Sequence, residues 1–324
     1  MKIHLYTGIG FIFCISGIAL LPYYPWIAYG YGLIAFFFGM KEVSTYTSWF
    51  QFITVYLAAI VAGLSLTYDF LTFTFFLYSF IFIAVGAITR VMFFRTFGYT
   101  QRAWLEPTFL VLAFISYVTG NLLTSIGWQG WVLPLPLLGF LAIFVNGVLK
   151  DKVQLLGFTR GGYKIAVGAA APDFTLPDQD GIQVSLDSFV GKRHLLLVFV
   201  RGDWCPGCHM MLRTYQKEAA KFKTKNIFAM AIGPDPVGVN REMVEKLGVE
   251  FKVLSDEKQK TAMVYGVQLD KYDNDFAEKY EEGIPLPASF LIDKSGIVRY
   301  ISRPDKVGEF LDPRTIFPII EKLN

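Results

Sequence analysis

The feature that most limits how this chain can fold is a sharp change in charge near residue 150. The stretch 3–149 carries almost no charged side chains, whereas 150–324 holds most of the Lys, Arg, Asp and Glu. Hydrophobic residues make up 53% of the chain and charged residues 18%, less than the quarter typical of a globular domain. We therefore predict a membrane domain over 1–149, a linker over 150–167 and a globular domain over 168–324.

The apolar half divides into six segments, each close to the roughly 20 residues that a membrane-spanning helix needs. Tryptophan and tyrosine gather near the segment ends, as is typical of side chains at the lipid headgroup level. The pattern predicts an α-helical transmembrane bundle, with the lipid bilayer as a partner. The predicted spans are 3–21, 25–40, 49–66, 70–88, 105–125 and 131–149.

Lysine and arginine in the short loops indicate an orientation for such a bundle. With six spans, the loop Lys and Arg residues all fall on one side, which predicts that both termini face the cytoplasm. We expect an integral protein of a bacterial inner membrane with its globular domain on the cytoplasmic side. One span fewer would place that domain on the opposite, periplasmic side.

The charged half has the periodicity of an α/β domain. Two short strands surround the Asp-Gly turn in "DFTLPDQDGIQVSL", and "HLLLVFV" at 194–200 predicts a buried central strand. The order strand, helix, strand, strand pair, helix is thioredoxin-like. The later predicted elements are a helix at 208–222, the strand "IFAMAI", a helix at 241–247, the strand "FKVLSD", a helix ending at Gly266, a hairpin around 294–296 and a helix at 313–323.

The motif "RGDWCPGC", residues 201–208, joins the central strand to the next helix and contains two of the three cysteines in the chain. This spacing brings the sulfurs of Cys205 and Cys208 within bonding distance at a helix N-terminus. The helix dipole and free N–H groups there stabilise a thiolate. A zinc site would need about four ligands, but this domain has no second cysteine pair, and its two histidines, His194 in a strand and His209 directly after Cys208, are too few and too poorly placed. The motif therefore predicts redox chemistry with no metal and no cofactor.

Four blocks of this domain resemble the alkyl hydroperoxide reductase/thiol-specific antioxidant (AhpC/TSA, redoxin) family of the thioredoxin superfamily, and most closely its peroxiredoxin-like members. They are "APDFTLPDQDG", "LLLVFVRGDWCPGC", "FKVLSDEKQKTAMVYGV" and "LPASFLIDKSGIVRYI". The resemblance extends from Gly168 to about Leu323 and leaves the apolar half uncovered.

The resemblance implies two different assignments of the cysteines. In the thioredoxin template, Cys205 attacks, Cys208 resolves, and Pro287 matches the cis-proline that lies against the pair. In the bacterioferritin-comigratory type of peroxiredoxin, "TPGC" aligns with "CPGC", so that Cys208 is the peroxidatic cysteine and Cys205 stands at the threonine position.

The chain departs from the peroxiredoxin pattern at several positions. Arg201 replaces the proline that opens the motif, and Ala288 stands where an arginine is expected before the "SFLID" strand. Arg201 is a candidate charge near the thiolate, with a structural role as the alternative. We expect Trp204 and Pro206 to pack and stiffen the loop.

Three further features are candidates for the rim of the site. Asp203 and Lys192 are candidate proton carriers, with solvated surface charges as the alternative. The charged and tyrosine-rich stretch 271–282 reads as an insertion that rims the site or forms a solvated loop.

Together these features predict a membrane-anchored thiol-disulfide oxidoreductase that uses Cys205 and Cys208 to reduce a protein disulfide or a peroxide. Its partners would be that substrate and a thiol reductant of thioredoxin or glutathione type. The first alternative is a thiol peroxidase with Cys208 peroxidatic and Cys205 resolving, and the second is a non-enzymatic membrane redox sensor. The net charge of +3, without a dense basic run, excludes nucleic acid as a partner.

Overall fold

A computed structural model describes most of the 324-residue chain. The described residues are 5–42, 49–65, 78, 81, 82, 85, 104–124, 127–132, 135–159, 163–270, 277–302 and 313–322. They fall into two compact units, one within Met1–Phe93 and Arg102–Lys152 and the other within Val153–Asn324.

The described part of the N-terminal unit is helical. Its first three helices pack on one another through small residues: at Gly32 an added Cβ would lie 2.7 Å from the Ala62 nitrogen and 3.0 Å from the Ala58 oxygen. The helices of the first 160 residues are α1 (Leu5–Leu20), α2 (Pro25–Lys41), α3 (Trp49–Ser65), α4 (Leu105–Leu123), α5 (Trp128–Val132) and α6 (Leu135–Thr159).

The predicted transmembrane bundle is wrong. None of the helices within the described residues combines the length and the apolarity that a bilayer crossing requires. Helices α1, α2 and α3 contain 16, 17 and 17 residues, and at 1.5 Å per residue they rise about 24–26 Å, less than the roughly 30 Å hydrocarbon core. Helix α4 includes Glu106 and Asn121, and α6 includes a charged run, Lys150 to Lys152.

The predictions that depended on this bundle fail with it: the bilayer partner, the inner-membrane location, and the placement of the second domain on the cytoplasmic or periplasmic side. The sequence suggested membrane spans because its apolar residues are dense. However, α1, α2 and α3 end before they reach the length that a bilayer crossing requires. The predicted span 70–88 lies largely outside the described residues.

The C-terminal unit has the predicted thioredoxin-like α/β fold. Its central sheet has the order β5-β4-β3-β8-β9, in which β3, β4 and β5 are parallel and β8 and β9 are antiparallel to their neighbours. The strands are β1 (Thr175–Pro177), β2 (Gln183–Ser185), β3 (His194–Phe199), β4 (Ile227–Gly233), β5 (Lys252–Ser255), β6 (Gln268–Leu269), β7 (Ile284–Pro285), β8 (Ala288–Ile292) and β9 (Val298–Ile301).

The helices of this unit follow the predicted order with shifted ends. The long helix expected at 208–222 begins earlier, at Pro206, and is interrupted at Glu218, which ends one helix and precedes the next. The helices are α7 (Pro206–Lys217), α8 (Ala219–Thr224), α9 (Val237–Leu247), α10 (Lys260–Tyr265) and α11 (Phe317–Glu321), with 3-10 turns at Leu186–Ser188 and Pro313–Ile316.

The core of the C-terminal unit lies around β3 and β8, the two strands that flank the motif. All six residues of β3 are buried, as are all five of β8, because neighbouring elements cover both faces of the sheet. Phe199 and Phe290 meet edge to face, with ring centroids 5.7 Å apart. The motif therefore directly follows a buried central strand and not a strand at the edge of the sheet.

Candidate active site

The cysteine motif forms the connection from β3 to α7. Backbone pairing continues one residue past β3, where the Val200 N–H donates to the Ile232 carbonyl at 2.9 Å. Gly202 then adopts φ +126°, a conformation that L side chains rarely adopt. An added Cβ at Gly202 would lie 2.4 Å from the hydroxyl of Tyr280. Glycine is thus required both by the turn and by the close approach of Tyr280.

Cys205 is the N-cap residue of α7, and its sulfur accepts a hydrogen bond from the Cys208 backbone N–H at 3.4 Å. Pro206 occupies the first turn of α7, where the missing N–H of proline costs no helical hydrogen bond. The side chain of Cys205 is 1% exposed. The sequence correctly placed this cysteine at the helix entrance.

Cys208 lies in the first turn of α7 and is 3% exposed. Its sulfur accepts a hydrogen bond from the Arg201 backbone N–H at 3.4 Å. Both thiols are unbonded, so this geometry is that of the reduced dithiol. Each sulfur therefore has one backbone donor while the pair remains buried.

Arg201 brings positive charge to the buried pair. The residue is 5% exposed, and its guanidinium lies 5.5 Å from the ring centre of Trp204. The Trp204 indole N–H donates back to the Arg201 carbonyl at 3.2 Å. Arg201 and Trp204 thus form one packed turn beside the cysteines.

The thiols differ in their electrostatic environment. Burial by itself raises the pKa of Cys205, but the hydrogen bond from the Cys208 thiol, the charge of Arg201 and the Cys208 backbone N–H outweigh it and lower the pKa to about 5. Burial, with the hydrogen bond and charge of Cys205, raises the pKa of Cys208 well above its usual value. The Cys208 thiol, the charge of Arg201 and the Cys208 backbone N–H therefore favour a thiolate on Cys205 over one on Cys208.

Asp203 links the motif to α9. Its Oδ1 lies 2.5 Å from Nζ of Lys246 and 3.3 Å from Nε2 of His209. Burial alone raises the pKa of Asp203, but the hydrogen bonds to His209 and Lys246 outweigh it, so the pKa is lowered. The candidate proton carrier Asp203 thus binds both Lys246 and His209.

Asp235, in the connection from β4 to α9, binds the turn of the cysteine motif through its backbone at Asp203. Its carboxylate accepts the Asp203 backbone N–H at 2.7 Å and the Tyr280 hydroxyl at 2.6 Å. Burial, followed by the nearby charge of Asp235, raises the pKa of Tyr280, which therefore stays a phenol and donates. The end of the predicted insertion 271–282 does rim the site through Tyr280, while 271–276 lie outside the described residues.

Two other candidates lie elsewhere or differ from expectation. Lys192 donates to the Ser188 carbonyl at 3.1 Å, at the opposite end of β3 from the motif. Pro287 is buried directly before Ala288, which pairs with Phe199 at the end of β3. Its preceding peptide bond is trans, so the expected cis bond is wrong. The trans form is the one that X–Pro bonds adopt by default.

The sequence alone did not predict three residues that surround the motif: His209, Asp235 and Lys246. His209 lies four residues after Cys205 on a helix, which was a usable signal. Asp235 and Lys246 carry no such signal because they reach the motif only through the fold, whereas Tyr280 belongs to the predicted rim 271–282. Within the described residues, no group of three or more His, Cys, Asp or Glu side chains is placed to hold a metal ion.

Comparison with known proteins shows that this unit is similar to members of the AhpC/TSA family. The sequence profile of the AhpC/TSA family matches residues 167–301. A putative peroxiredoxin bcp from Coxiella burnetii is 33% identical over 134 residues, which are 41% of this chain and 85% of that protein. A putative chloroplastic peroxiredoxin Q from Oryza sativa subsp. indica is 33% identical over 153 residues, 46% of this chain and 66% of that protein.

The chain thus spans slightly less than two thirds of the length of the rice relative. Among solved structures, peroxidoxin BcpB from Mycobacterium tuberculosis aligns with a TM-score of 0.44 and 20% identity, over 49% of this chain and 99% of that one.

Proposed function

The chain belongs to the AhpC/TSA family through its C-terminal unit, and from this premise we propose that it is a thiol peroxidase that cycles Cys205 and Cys208 between dithiol and disulfide. At the level of enzyme class, the predicted peroxiredoxin-like antioxidant oxidoreductase is confirmed by these relatives. They favour the peroxidase alternative over disulfide reduction, which our sequence analysis placed first.

The observation that carries the proposal is the burial of the dithiol. Cys205 and Cys208 are 1% and 3% exposed, with Arg201 and Trp204 packed beside them. To form a mixed disulfide, a protein substrate must bring its own sulfur within a bond length of about 2 Å of the attacking sulfur. Hydrogen peroxide is little larger than water, so it needs a far smaller opening. The resting site therefore suits a small peroxide better than a protein disulfide.

The proposed cycle transfers two electrons from the sulfurs to the peroxide. One cysteine, as thiolate, attacks an oxygen of the O–O bond and becomes a sulfenic acid, while the leaving oxygen takes up a proton to form water or an alcohol. The thiol of the second cysteine then attacks the sulfenic sulfur, which forms the disulfide and releases the sulfenic oxygen as water. A thiol reductant of thioredoxin or glutathione type returns the disulfide to the dithiol by exchange.

Motif position and local electrostatics assign the attacking sulfur differently. Alignment with the peroxiredoxin motif gives Cys208 the peroxidatic position and Cys205 the place of the threonine. The N-cap position, the Cys208 N–H and the lowered pKa favour the thiolate on Cys205. Both assignments end in the same disulfide, so the proposed function does not depend on the choice.

The decisive experiment is single-turnover oxidation of the full-length, reduced chain by hydrogen peroxide, with free thiols counted by mass spectrometry. We expect one peroxide to consume two thiols, leaving only Cys14, which is buried in α1. The Cys14→Ala variant is the matched control and should form the same disulfide at the same rate. Cys205→Ser and Cys208→Ser should each form no intramolecular disulfide, and the variant that retains the attacking sulfur should accumulate a trappable sulfenic acid.

The proposal is wrong if wild-type oxidation is no faster than that of free cysteine at the same pH. Rapid reduction of insulin disulfides by the same preparation would then support the disulfide reductase. Oxidation that proceeds once but is not reversed by any dithiol reductant would contradict a catalytic cycle and favour the redox sensor.

A further inference from the structure

Asp235 is a buried carboxylate beside the cysteine motif that the proposed cycle does not use. It lies in the connection from β4 to α9 and is 1% exposed. Its Oδ2 accepts the Asp203 backbone N–H at 2.7 Å, and its Oδ1 accepts the Tyr280 hydroxyl at 2.6 Å. Nζ of Lys279 lies 3.6 Å from the same Oδ1. A carboxylate is costly to bury unless it is paired and hydrogen-bonded, and these groups meet both conditions.

The backbone of Asp235 is tied to the central sheet. Asn240, in α9, is fully buried, and its side-chain amide donates to the Asp235 carbonyl at 3.1 Å and to the Ser255 hydroxyl at 2.9 Å. Ser255 is the last residue of β5. The Asp235 carboxylate is therefore a fixed point, and a backbone group that binds it is held in place relative to the sheet.

Residues 201–203, which we call the motif turn, contact both cysteines through the backbone. The Arg201 N–H donates to the Cys208 sulfur at 3.4 Å. The Gly202 carbonyl accepts the Cys205 N–H at 3.2 Å. The conformation of the motif turn therefore helps to set where each cysteine lies relative to the other.

The motif turn is fixed at both of its ends. Before it, the Val200 N–H pairs with β4 at 2.9 Å, and at its end the Asp203 N–H binds Asp235. Gly202 lies between them with φ +126°, and the Tyr280 hydroxyl occupies the space that a Cβ would need there. Tyr280 thus lies against the motif turn and also holds, through its hydroxyl, the carboxylate that binds this turn.

Resting on the proposed peroxidase function, we propose that Asp235, with Tyr280 bound to it, is the positioning residue that holds the motif turn so that the two sulfurs stay within reach of disulfide closure. It acts in the second step of the cycle, when the thiol of one cysteine attacks the sulfenic sulfur of the other. The S–S bond forms, the S–O bond breaks, and the oxygen leaves as water with the proton of the thiol.

This role separates the two chemical steps of the cycle. Closure joins two groups of the protein, so its rate depends on how well the protein holds one against the other. Attack on peroxide involves only one of the sulfurs and does not depend on their separation. Loosening the motif turn should therefore slow closure and spare the first attack, whichever cysteine attacks first.

The test is stopped-flow reaction of the reduced full-length chain with dithiodipyridine, a small aromatic disulfide. Attack by one cysteine forms a mixed disulfide and releases a first coloured thione, and closure by the other cysteine releases a second. Only the second phase is independent of reagent concentration. In Tyr280→Phe, which removes the hydroxyl alone, we expect closure to slow about tenfold and the first phase to change less than about twofold, because a small misplacement of a reacting group costs rate steeply.

The matched control is Tyr265→Phe, which removes the hydroxyl of another buried tyrosine of this unit, one that donates to the Pro172 carbonyl at 2.9 Å. It should leave both phases unchanged, although it too removes a hydrogen bond from the fold. Asp235→Ala should slow closure at least as much as Tyr280→Phe. Adding Tyr280→Phe to Asp235→Ala should slow closure no further, because Tyr280 acts through Asp235.

An unchanged closure rate in a folded Tyr280→Phe protein overturns the proposal, and so does an equal slowing of both phases, which indicates a merely structural role. The wild-type chain supplies a result that needs no variant. The Asp203 amide, resolved singly by hydrogen exchange with mass spectrometry, should be protected in both the dithiol and the disulfide. Rapid exchange of this amide would show that Asp235 does not hold the motif turn.

The closure measurement contains no peroxide, so its outcome is separate from that of the proposed function. Slowed closure in Tyr280→Phe together with slow peroxide oxidation of the wild type would overturn only the peroxidase. Fast peroxide oxidation together with unchanged closure would overturn only this inference.

Discussion

In the described part of the N-terminal unit most of the fully buried residues are small or polar, whereas in the C-terminal unit most of them are large and apolar. Gly32, Ala58 and Ala62 lie where α2 meets α3, and Gln51 is buried with its amide donating to the Gly39 carbonyl at 2.9 Å. Around β3 and β8 the buried residues are leucines, isoleucines and aromatic rings. Many large apolar residues are thus exposed in the N-terminal unit, whereas in the C-terminal unit most of them are buried.

The difference shows that hydrophobic content does not by itself say where a side chain lies. Phe37 in α2 is 65% exposed, while Phe290 in β8 is 0% exposed. Helices that approach through glycine have no room for a large side chain at the contact, so their large residues point outward. A sheet covered on both faces must fill the space above and below it, so its large residues point inward.

The largest expected effect comes from the same substitution made in each unit. Phe290→Ala should destabilise the C-terminal unit by about 3–5 kcal/mol, because it removes a buried ring and leaves a cavity. Phe37→Ala should change the stability of the N-terminal unit by less than about 0.5 kcal/mol. Hydrogen exchange with mass spectrometry on the full chain, resolved by unit, measures both; equal effects would refute the contrast.

Glycine substitutions in α2 should have opposite signs two residues apart. Gly32→Ala should destabilise the unit by about 1–3 kcal/mol because its Cβ would lie 2.7 Å from the Ala62 nitrogen and force α2 from α3. Gly30→Ala meets nothing within 4 Å and should stabilise the helix by about 0.5–1 kcal/mol through lower backbone entropy. The exchange protection of α2 in the two variants is the measurement, and a shared sign would contradict glycine-mediated packing.

The smallest expected effect is a pH dependence in the C-terminal unit. Asp178 accepts the backbone N–H groups of Ile182 and Asp180 at 2.9 and 3.0 Å and pairs with Lys252. Burial alone raises the pKa of Asp178, but these hydrogen bonds outweigh it and lower the pKa. A lowered folded-state pKa stabilises the fold above the unfolded value of about 3.9, and the contribution is lost as pH falls through the folded-state pKa.

Asp178→Asn should therefore cost the C-terminal unit about 1 kcal/mol at neutral pH, and this cost should shrink as the pH falls below the unfolded value of about 3.9. The measurement is the exchange protection of β1, β2 and β5 in the variant and in the wild type. Comparing the two proteins at the same pH removes the effect of pH on the intrinsic exchange rate. Protection of α1–α3 serves as the internal control and should not respond. A variant that differs from wild type equally at pH 3 and pH 7 would show that Asp178 does not act through its charge.

Local patterns predicted much of the C-terminal unit and the centre of its site. The run "HLLLVF" became β3, the Asp-Gly turn separates β1 from β2, and Gly266 ends α10 in the left-handed conformation. Cys205 and Cys208 lie at the helix entrance because strand, turn and helix are adjacent in sequence. For the N-terminal unit, the apolar segments predicted the positions of helices α1 to α4 approximately, but the transmembrane bundle that we inferred from them is wrong.

By itself, then, the sequence determined the α/β order, the dithiol motif and the family, since each depends on residues within one or two turns or strands of each other. Only the tertiary structure decided what surrounds the dithiol. Asp235, Lys246 and Tyr280 lie 30 to 75 positions after Cys205 in the chain. Asp235 reaches Asp203 because the parallel strands β3 and β4 end at the same edge of the sheet. Lys246 reaches Asp203 from α9, and Tyr280 reaches Gly202 from the segment before β7. The tertiary structure also decided which side chains are buried, because the exposure of a side chain depends on which distant segments cover it.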